Sequence, residues 1–314
     1  MSDVEAVILA AGRGSRMGKV GELHPKALLP IANRPAITHH FDLLRRLGIG
    51  RVFVVVGHRS DLLVAAVERM PLDDLRVTFV DQGDARGSAH ALGRLRDRIG
   101  GAFVVLLGDY LFDCADPSRM LARLRDGSAG AIACKEETDR DMIRQACLVE
   151  AAEDGRVRTI VEKPVAPHGR LKGCGFYAFQ PEIFDAVART PRTALRDEYE
   201  LTVAIEIYLG MGRPFHAEPI IAWDANLTRP DDLLDCNLRW LSRLGADNLV
   251  AETASLQGRL SLRRTVVGAG AHLSGEGRLD QVLVFPDSAS TVTDDVSRTI
   301  FIGDCRVSCA GGRE

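Results

Sequence analysis

Arg16, Lys26 and Asp109 are the residues whose types and settings could do chemistry on a phosphate. Arg16 lies in Gly12-Arg-Gly-Ser-Arg-Met17, directly after the apolar run Val7-Ile-Leu-Ala-Ala11. Gly12 and Gly14 let backbone N–H groups approach a ligand with no Cβ in the way. The arginine adds a permanently charged fork that suits phosphate oxygens. Further on, Pro25-Lys26 brings a second cation just before the apolar run Ala27 to Ile31. Asp109, in Leu106-Leu-Gly-Asp-Tyr110, is a carboxylate just past an apolar strand, a costly place unless it is paired or metal-bound. It could also cap the next segment. A polyanionic ligand fits the loop best. A dinucleotide fingerprint needs a third glycine where Met17 stands, and an acidic residue where the second strand ends in Gly57-His-Arg59. A P-loop needs Ser or Thr where Val20 follows Gly18-Lys19. An ordinary strand-to-loop turn accounts for the glycines alone. A loop gripping a nucleoside triphosphate uses every charged residue and lacks none.

The elements that must hold these groups alternate. Strand patterns run over 4–9, 51–56, 76–80 and 102–107, and helix patterns over 36–47, 61–70 and 88–99. Such alternation predicts right-handed crossovers and an α/β, Rossmann-like, mostly parallel sheet. Ligands of such sheets bind beyond the carboxyl ends of the strands, which gathers Gly12, Gln82 and Asp109 on one edge. From 129 to 179 the pattern changes to shorter strands, and helix patterns return at 181–188, 199–209 and 230–244. Beyond Ala251, small apolar residues recur at intervals near six (Val267, Leu273, Leu279) with Gly and Ser between them. That texture predicts a short left-handed β-helix-like segment, with an irregular Gly-rich tail as the other reading. The expected division is a domain over 1–250 and this segment over 251–314, whose removal should alter assembly more than chemistry.

Composition sets bounds. The chain has 314 residues and a formal charge of −3, so a phosphate site must be built from local cations, and neither a nucleic-acid nor a membrane-surface partner is expected. No apolar run approaches a membrane span, and Met1-Ser-Asp-Val-Glu5 has no signal-peptide pattern. The seven scattered cysteines form no Cys-x-x-Cys pair, which points to reduced thiols in a cytoplasm.

Gly-x-Gly-Ser-Arg-Met followed by Pro-Lys-Ala-Leu-Leu-Pro resembles the signature of the sugar-1-phosphate nucleotidyltransferases, from about residue 5 to about 240. The family includes uridylyl-, thymidylyl- and guanylyltransferases. The resemblance implies transfer of a nucleotidyl group from an NTP to a sugar-1-phosphate, with Mg²⁺ and in a homo-oligomer. It places Leu9, Ala10, Ala11, Gly12, Gly14, Gln82, Gly87, Ser88 and Asp109 against the nucleotide. Arg16 resembles the arginine of the β- and γ-phosphates, and Lys26 the lysine at the α-phosphate. Asp109 matches the family's Mg²⁺ ligand. For the second ligand, counting back from Pro230-Asp-Asp-Leu favours Asn226, while counting forward from Trp223 leaves Asp224 open.

Gln82 followed by Gly87-Ser-Ala-His-Ala91 is similar to the uridylyltransferase spacing, and a Gln amide offers a donor and an acceptor to uracil or thymine. On the sugar side, Glu162-Lys163-Pro164 matches the family's Glu-Lys-Pro, with Lys163 on the sugar phosphate and Glu162 on hydroxyls. The segment 129–179 becomes the sugar-side subdomain. Tyr110, Gly173 and Gly175 complete that side, and here the chain departs from the pattern. Gly173-Cys-Gly175 replaces Asn-Thr-Gly, Val203 replaces an Asp, and Tyr110 replaces a smaller or amide residue. An acetamido sugar is thereby put in doubt and a cyclitol phosphate becomes possible. GTP- or ATP-using relatives, a cytidylyltransferase of a phosphorylated alcohol, and a non-catalytic nucleotide-sugar sensor stand as alternatives. A sensor should have lost Arg16, Lys26 or Asp109. His58, His90 and His272 form no ligand spacing and read as structural.

Overall fold

The computed structural model describes residues 4–194 and 197–309. The chain divides into two compact units, one made of residues up to Arg13 with His39–Asp224, the other of Gly14–Thr38 with the residues from Ala225 onward.

In the first unit the strands are Glu5–Leu9 (β1), Arg51–Val56 (β2), Arg76–Asp81 (β3), Phe103–Leu107 (β4), Tyr110–Cys114 (β5), Gly130–Glu136 (β6), Cys147–Ala151 (β7), Val157–Glu162 (β8), Leu171–Phe179 (β9), Phe215–Glu218 (β10) and Ile221–Asn226 (β11), whose last two residues count with the second unit. The main sheet runs β8-β7-β9-β4-β1-β2-β3, with β6 beside β9 and β10 beside β6; β5 and β11 form a separate ladder. Pairings among β4, β1, β2 and β3 are parallel, while β9 runs antiparallel to β4, β6 and β7. The apolar runs in β1, β2 and β4 are buried on both faces, as central parallel strands require. Phe53, Phe103, Phe179, Phe215 and Tyr208 fill the core between the sheet and the helix Leu201–Gly210.

Two glycines bring the strand ends close together. Gly108 donates its N–H to the Leu9 carbonyl at 2.9 Å, and a Cβ there would meet that oxygen at 2.9 Å. A Cβ on Gly57 would meet the Ala11 carbonyl, also at 2.9 Å. Side chains at either position would wedge the sheet edge open. One predicted helix is shorter than its pattern. The α-helix from Ser88 stops at Gly93, and residues to Ile99 continue in tighter turns such as Leu95 N–H to Leu92 O. Glycine's low helix propensity accounts for the break.

The second unit begins with the glycine loop, which closes as a 3₁₀ turn over Ser15–Met17 and runs into the short helix Lys19–Leu23. A hairpin, Pro30–Ile31 with Arg34–Pro35, follows. The helix Pro230–Leu244 then leads into parallel coils. Ser255 pairs with His272, and His272 with Ala289, a shift of 17 residues each time. The circuit of 17 is thus one residue short of three of the expected intervals of six. Arg264, Gln281 and Arg298 turn corresponding corners at φ of 47°, 56° and 41°. The Arg263 guanidinium grips Asp280 one coil on with bonds of 2.9 and 2.6 Å. The strand Cys305–Ser308 folds back antiparallel on Val296–Ile302 and ends the stack. Val267, Leu273, Leu279, Val284 and Phe301 form the dry interior. No helix among the described residues is long and apolar enough to cross a membrane.

Candidate active site

In the second unit, Gly14 sits at φ 66°, and a Cβ there would lie 3.4 Å from Lys26 Cγ and 3.6 Å from Cε. The Lys26 side chain therefore lies along the glycine loop at Gly14, which stands two residues before the exposed Arg16. Gly21 packs against the same turn, its Cβ position 2.5 Å from the Gly14 carbonyl oxygen. Asn226 is half-buried, and its Oδ1 is a buried oxygen with no hydrogen-bond partner among the described residues.

In the first unit, Leu9 and Ala10 border Gly108 and Ala11 borders Gly57, with Asp109 and Tyr110 following Gly108 in the chain; Gly12 is exposed. His40, which the sequence gave no reason to choose, is buried there. Burial pushes its imidazole down to about 4, assisted by His39 and opposed by Asp109 and a hydrogen bond to the Gly108 backbone.

Gln82 is buried, and its Nε2 donates to the Gly87 carbonyl at 3.0 Å and meets His90 Nδ1 at 3.2 Å. Gly87 adopts φ 110°, and a Cβ there would lie 2.4 Å from the Tyr199 carbonyl oxygen. Ser88 Oγ accepts the Leu201 N–H at 2.9 Å. The Gly87–Ala89 turn is thus braced by the start of the helix Leu201–Gly210.

On the sugar side, Glu162 ends β8 and Lys163 follows at φ 45°, its N–H donating to the Ala146 carbonyl at 2.8 Å. Gly173 pairs with Cys134 on one side and Cys147 on the other. A Cβ there would meet Cys147 Sγ at 2.4 Å, so packing inside the sheet already demands a glycine. Gly175, at φ 68°, backs onto the buried Tyr110 ring, 2.8 Å from its Cβ position.

Asp224 is buried and pairs with Lys172 Nζ at 2.8 Å, with Lys135 at 3.9 Å. Glu137 joins the network, 2.7 Å from Lys135 and 3.6 Å from Lys172. Burial opposes the charge on Lys172, but Asp224 and Glu137 outweigh it and raise the amine above its ordinary range. Lys135, Glu137 and Lys172 were not selected from the sequence. The signal was a lysine inside the apolar strand Leu171–Phe179, where an unpaired charge could not stay.

Comparison with known proteins places the chain in a family. A family model described as Nucleotidyl transferase matches residues 5–238. The chain belongs to that family. It is similar to a Haloferax volcanii protein named UTP–glucose-1-phosphate uridylyltransferase AglF, 32% identical over 232 residues that cover 73% of this chain and 93% of the relative. A glucose-1-phosphate thymidylyltransferase from Streptomyces griseus is 29% identical over 288 residues, 86% of this chain and 79% of the relative. The fold is that of a UDP-glucose pyrophosphorylase solved with UDP-glucose, with a TM-score of 0.68, 20% identity, and coverage of 76% of this chain and 99% of that one. Membership makes the chain an enzyme of the nucleotidyltransferase class.

Proposed function

We propose that the protein joins an NTP, with UTP or dTTP favoured, to a sugar-1-phosphate or a sugar-like cyclitol phosphate, giving an NDP-sugar and pyrophosphate. The observation that carries this reading is Lys26 laid along Gly14, which concentrates cationic charge on a loop whose backbone is open to phosphate. Relatives named for uridylyl and thymidylyl transfer support the choice of base.

The reaction is an in-line displacement. A sugar phosphate oxygen forms a bond to the α-phosphorus while the bridging bond to the β-phosphate breaks and pyrophosphate leaves. The attacking oxygen is already anionic at neutral pH, so no general base is required. Arg16 would bind the β- and γ-phosphates, and Lys26 would neutralise charge that builds at the α-phosphate. Lys163 would hold the incoming phosphate and Glu162 the sugar hydroxyls. The positive φ of Lys163 fits a side chain re-aimed at a ligand.

Among the described residues no cluster of three or more His, Cys, Asp or Glu could hold a metal. A Mg²⁺ site needs few protein oxygens, since the ion keeps waters and phosphate ligands. Asp109 and the orphaned Asn226 Oδ1 fit that requirement, whereas Asp224 is committed to Lys172. Bound there, Mg²⁺ would offset charge on the triphosphate. A sensor role is opposed by the presence of Arg16, Lys26 and Asp109 together. The seven free cysteines fit a cytoplasmic protein, and we extend the reading to a homo-oligomer with a catalytic segment over 1–250 and coils over 251–314.

Pyrophosphate release over the common NTPs and a panel of sugar-1-phosphates tests the proposal. UTP or dTTP should support turnover, and Lys26→Ala should lower kcat at least about 100-fold. No release with any pair would refute it.

A further inference from the structure

The Gln82 amide can be oriented without ambiguity. The Gly87 carbonyl oxygen, 3.0 Å away, can only accept, so the amide nitrogen must face it. The same nitrogen lies 3.2 Å from His90 Nδ1, which must then accept as well. His90 is therefore neutral and carries its proton on Nε2. Both hydrogens of the Gln82 amide are spent inside the protein. Its Oε1 receives no hydrogen bond from the described residues. In a side chain that is otherwise buried, an amide oxygen left without a protein donor wants one from outside.

We infer that His90 is a positioning residue that locks Gln82 as a pure acceptor and thereby selects a base presenting an imino N–H on its pairing edge. This deepens the proposed nucleotidyltransfer and rests on it. Uracil and thymine carry that hydrogen on N3. Cytosine N3 and adenine N1 carry a lone pair that would face Oε1 and be repelled. Guanine N1–H also satisfies the lock, so the lean from GTP to UTP comes from the relatives and not from this contact. The sequence suggested that Gln82 offers both a donor and an acceptor; His90 and Gly87 reduce it to one.

The lock is a hydrogen bond and not merely ring packing, although the His90 ring lies 6.2 Å from the Tyr199 ring, centroid to centroid. His90→Phe keeps a ring but loses the acceptor. His90→Gln loses the ring but can present a carbonyl oxygen to Gln82 Nε2. Dissociation constants for UTP, CTP and N3-methyl-UTP, measured by calorimetry on the full chain and both variants, separate the two roles. The wild type should bind UTP at least about tenfold tighter than either other nucleotide. His90→Phe should shrink that preference severalfold or more, and His90→Gln should restore much of it. Equal weakening toward all three nucleotides in His90→Phe, or no change in the ratio, overturns the inference. So does equal wild-type affinity for UTP and N3-methyl-UTP, a measurement that needs no variant to fold. Pyrophosphate release is scored separately: UTP binding with the predicted ratios but without turnover would sink the enzymatic reading and leave the lock standing.

Discussion

The buried Asn237 side chain donates Nδ2–H to the Pro30 carbonyl at 2.8 Å and, through Oδ1, accepts the Ala32 N–H at 2.9 Å. One residue on, Asn33 donates Nδ2–H to the Val267 carbonyl at 2.8 Å, and the His24 and Phe285 rings lie 5.4 Å apart. The loop that carries Arg16 and Lys26 is thus fastened to the helix Pro230–Leu244 and to the coils. That changes the expectation for the C-terminal segment. Its removal takes away the Val267 carbonyl and Phe285, so chemistry as well as assembly should suffer.

Asn237→Ala takes the side-chain partner from the half-buried Ala32 N–H and from the buried Pro30 carbonyl. It should cost about 2–4 kcal/mol, read from urea unfolding, and lower kcat because Lys26 sits at the head of the same hairpin. An Asn237→Ala protein with wild-type stability and turnover would contradict this.

The strands β1, β2 and β3 were legible within a residue or so, because apolar runs bounded by glycine leave little choice. The helix Pro230–Leu244 was legible to the residue, with Pro at its start and Gly245 beyond its end. The coils were visible only as a rough interval. Their true period of 17 is set by corner residues such as Gln281, whose αL conformation no side-chain type announced. The Lys172–Asp224 pair and the His90–Gln82 contact were hidden because each depends on residues far apart in sequence or on which atom of a side chain is already engaged.

Gly87→Ala tests the brace under the base-reading turn. A Cβ would lie 2.4 Å from one backbone oxygen and 2.8 Å from the Tyr199 nitrogen, at a φ of 110° that alanine resists. Backbone cannot step aside as a flexible side chain would. The substitution should lose about 1–3 kcal/mol of stability and raise the KM for NTP more than it lowers kcat. Crystallography or amide exchange should show the Tyr199–Leu201 segment displaced; an unmoved segment with normal KM would refute the account.

Breaking the buried pair should be costly. Lys172→Met leaves the Asp224 carboxylate with only the longer contact to Lys135, and Asp224→Leu leaves the Lys172 amine with only the longer contact to Glu137. Loss of either partner should destabilise by about 3–5 kcal/mol, whereas the double variant should recover a large part because both desolvation costs vanish together. A double-mutant cycle by chemical denaturation gives the coupling directly. Additive losses would show that the two side chains do not act as a pair. Glu137 stays beside Lys135 in every variant, so recovery need not be complete.

Acidification should weaken base recognition before it unfolds the protein. Burial, then the Arg86 and Arg94 cations, hold the His90 imidazole below its ordinary 6.5, with Asp84 pulling the other way. Tyr199 is the other titratable ring at its face. With the folded value depressed, the contribution to stability is whole above 6.5 and is lost as pH falls from there through the lower folded value, while inside the folded protein the neutral form persists until that lower value is reached. Once protonated, Nδ1–H would confront the Gln82 amide hydrogens, donor against donor, and the amide must turn. The UTP-over-CTP affinity ratio should therefore be flat from neutral to mildly alkaline pH and decline on the acid side. His90→Gln, which cannot take up that proton, should keep its ratio across the same range. Because both proteins meet the same nucleotides, titration of the substrate phosphates cancels in the comparison. Parallel declines in the two proteins would assign the acid limb to another group and remove His90 from the pH response.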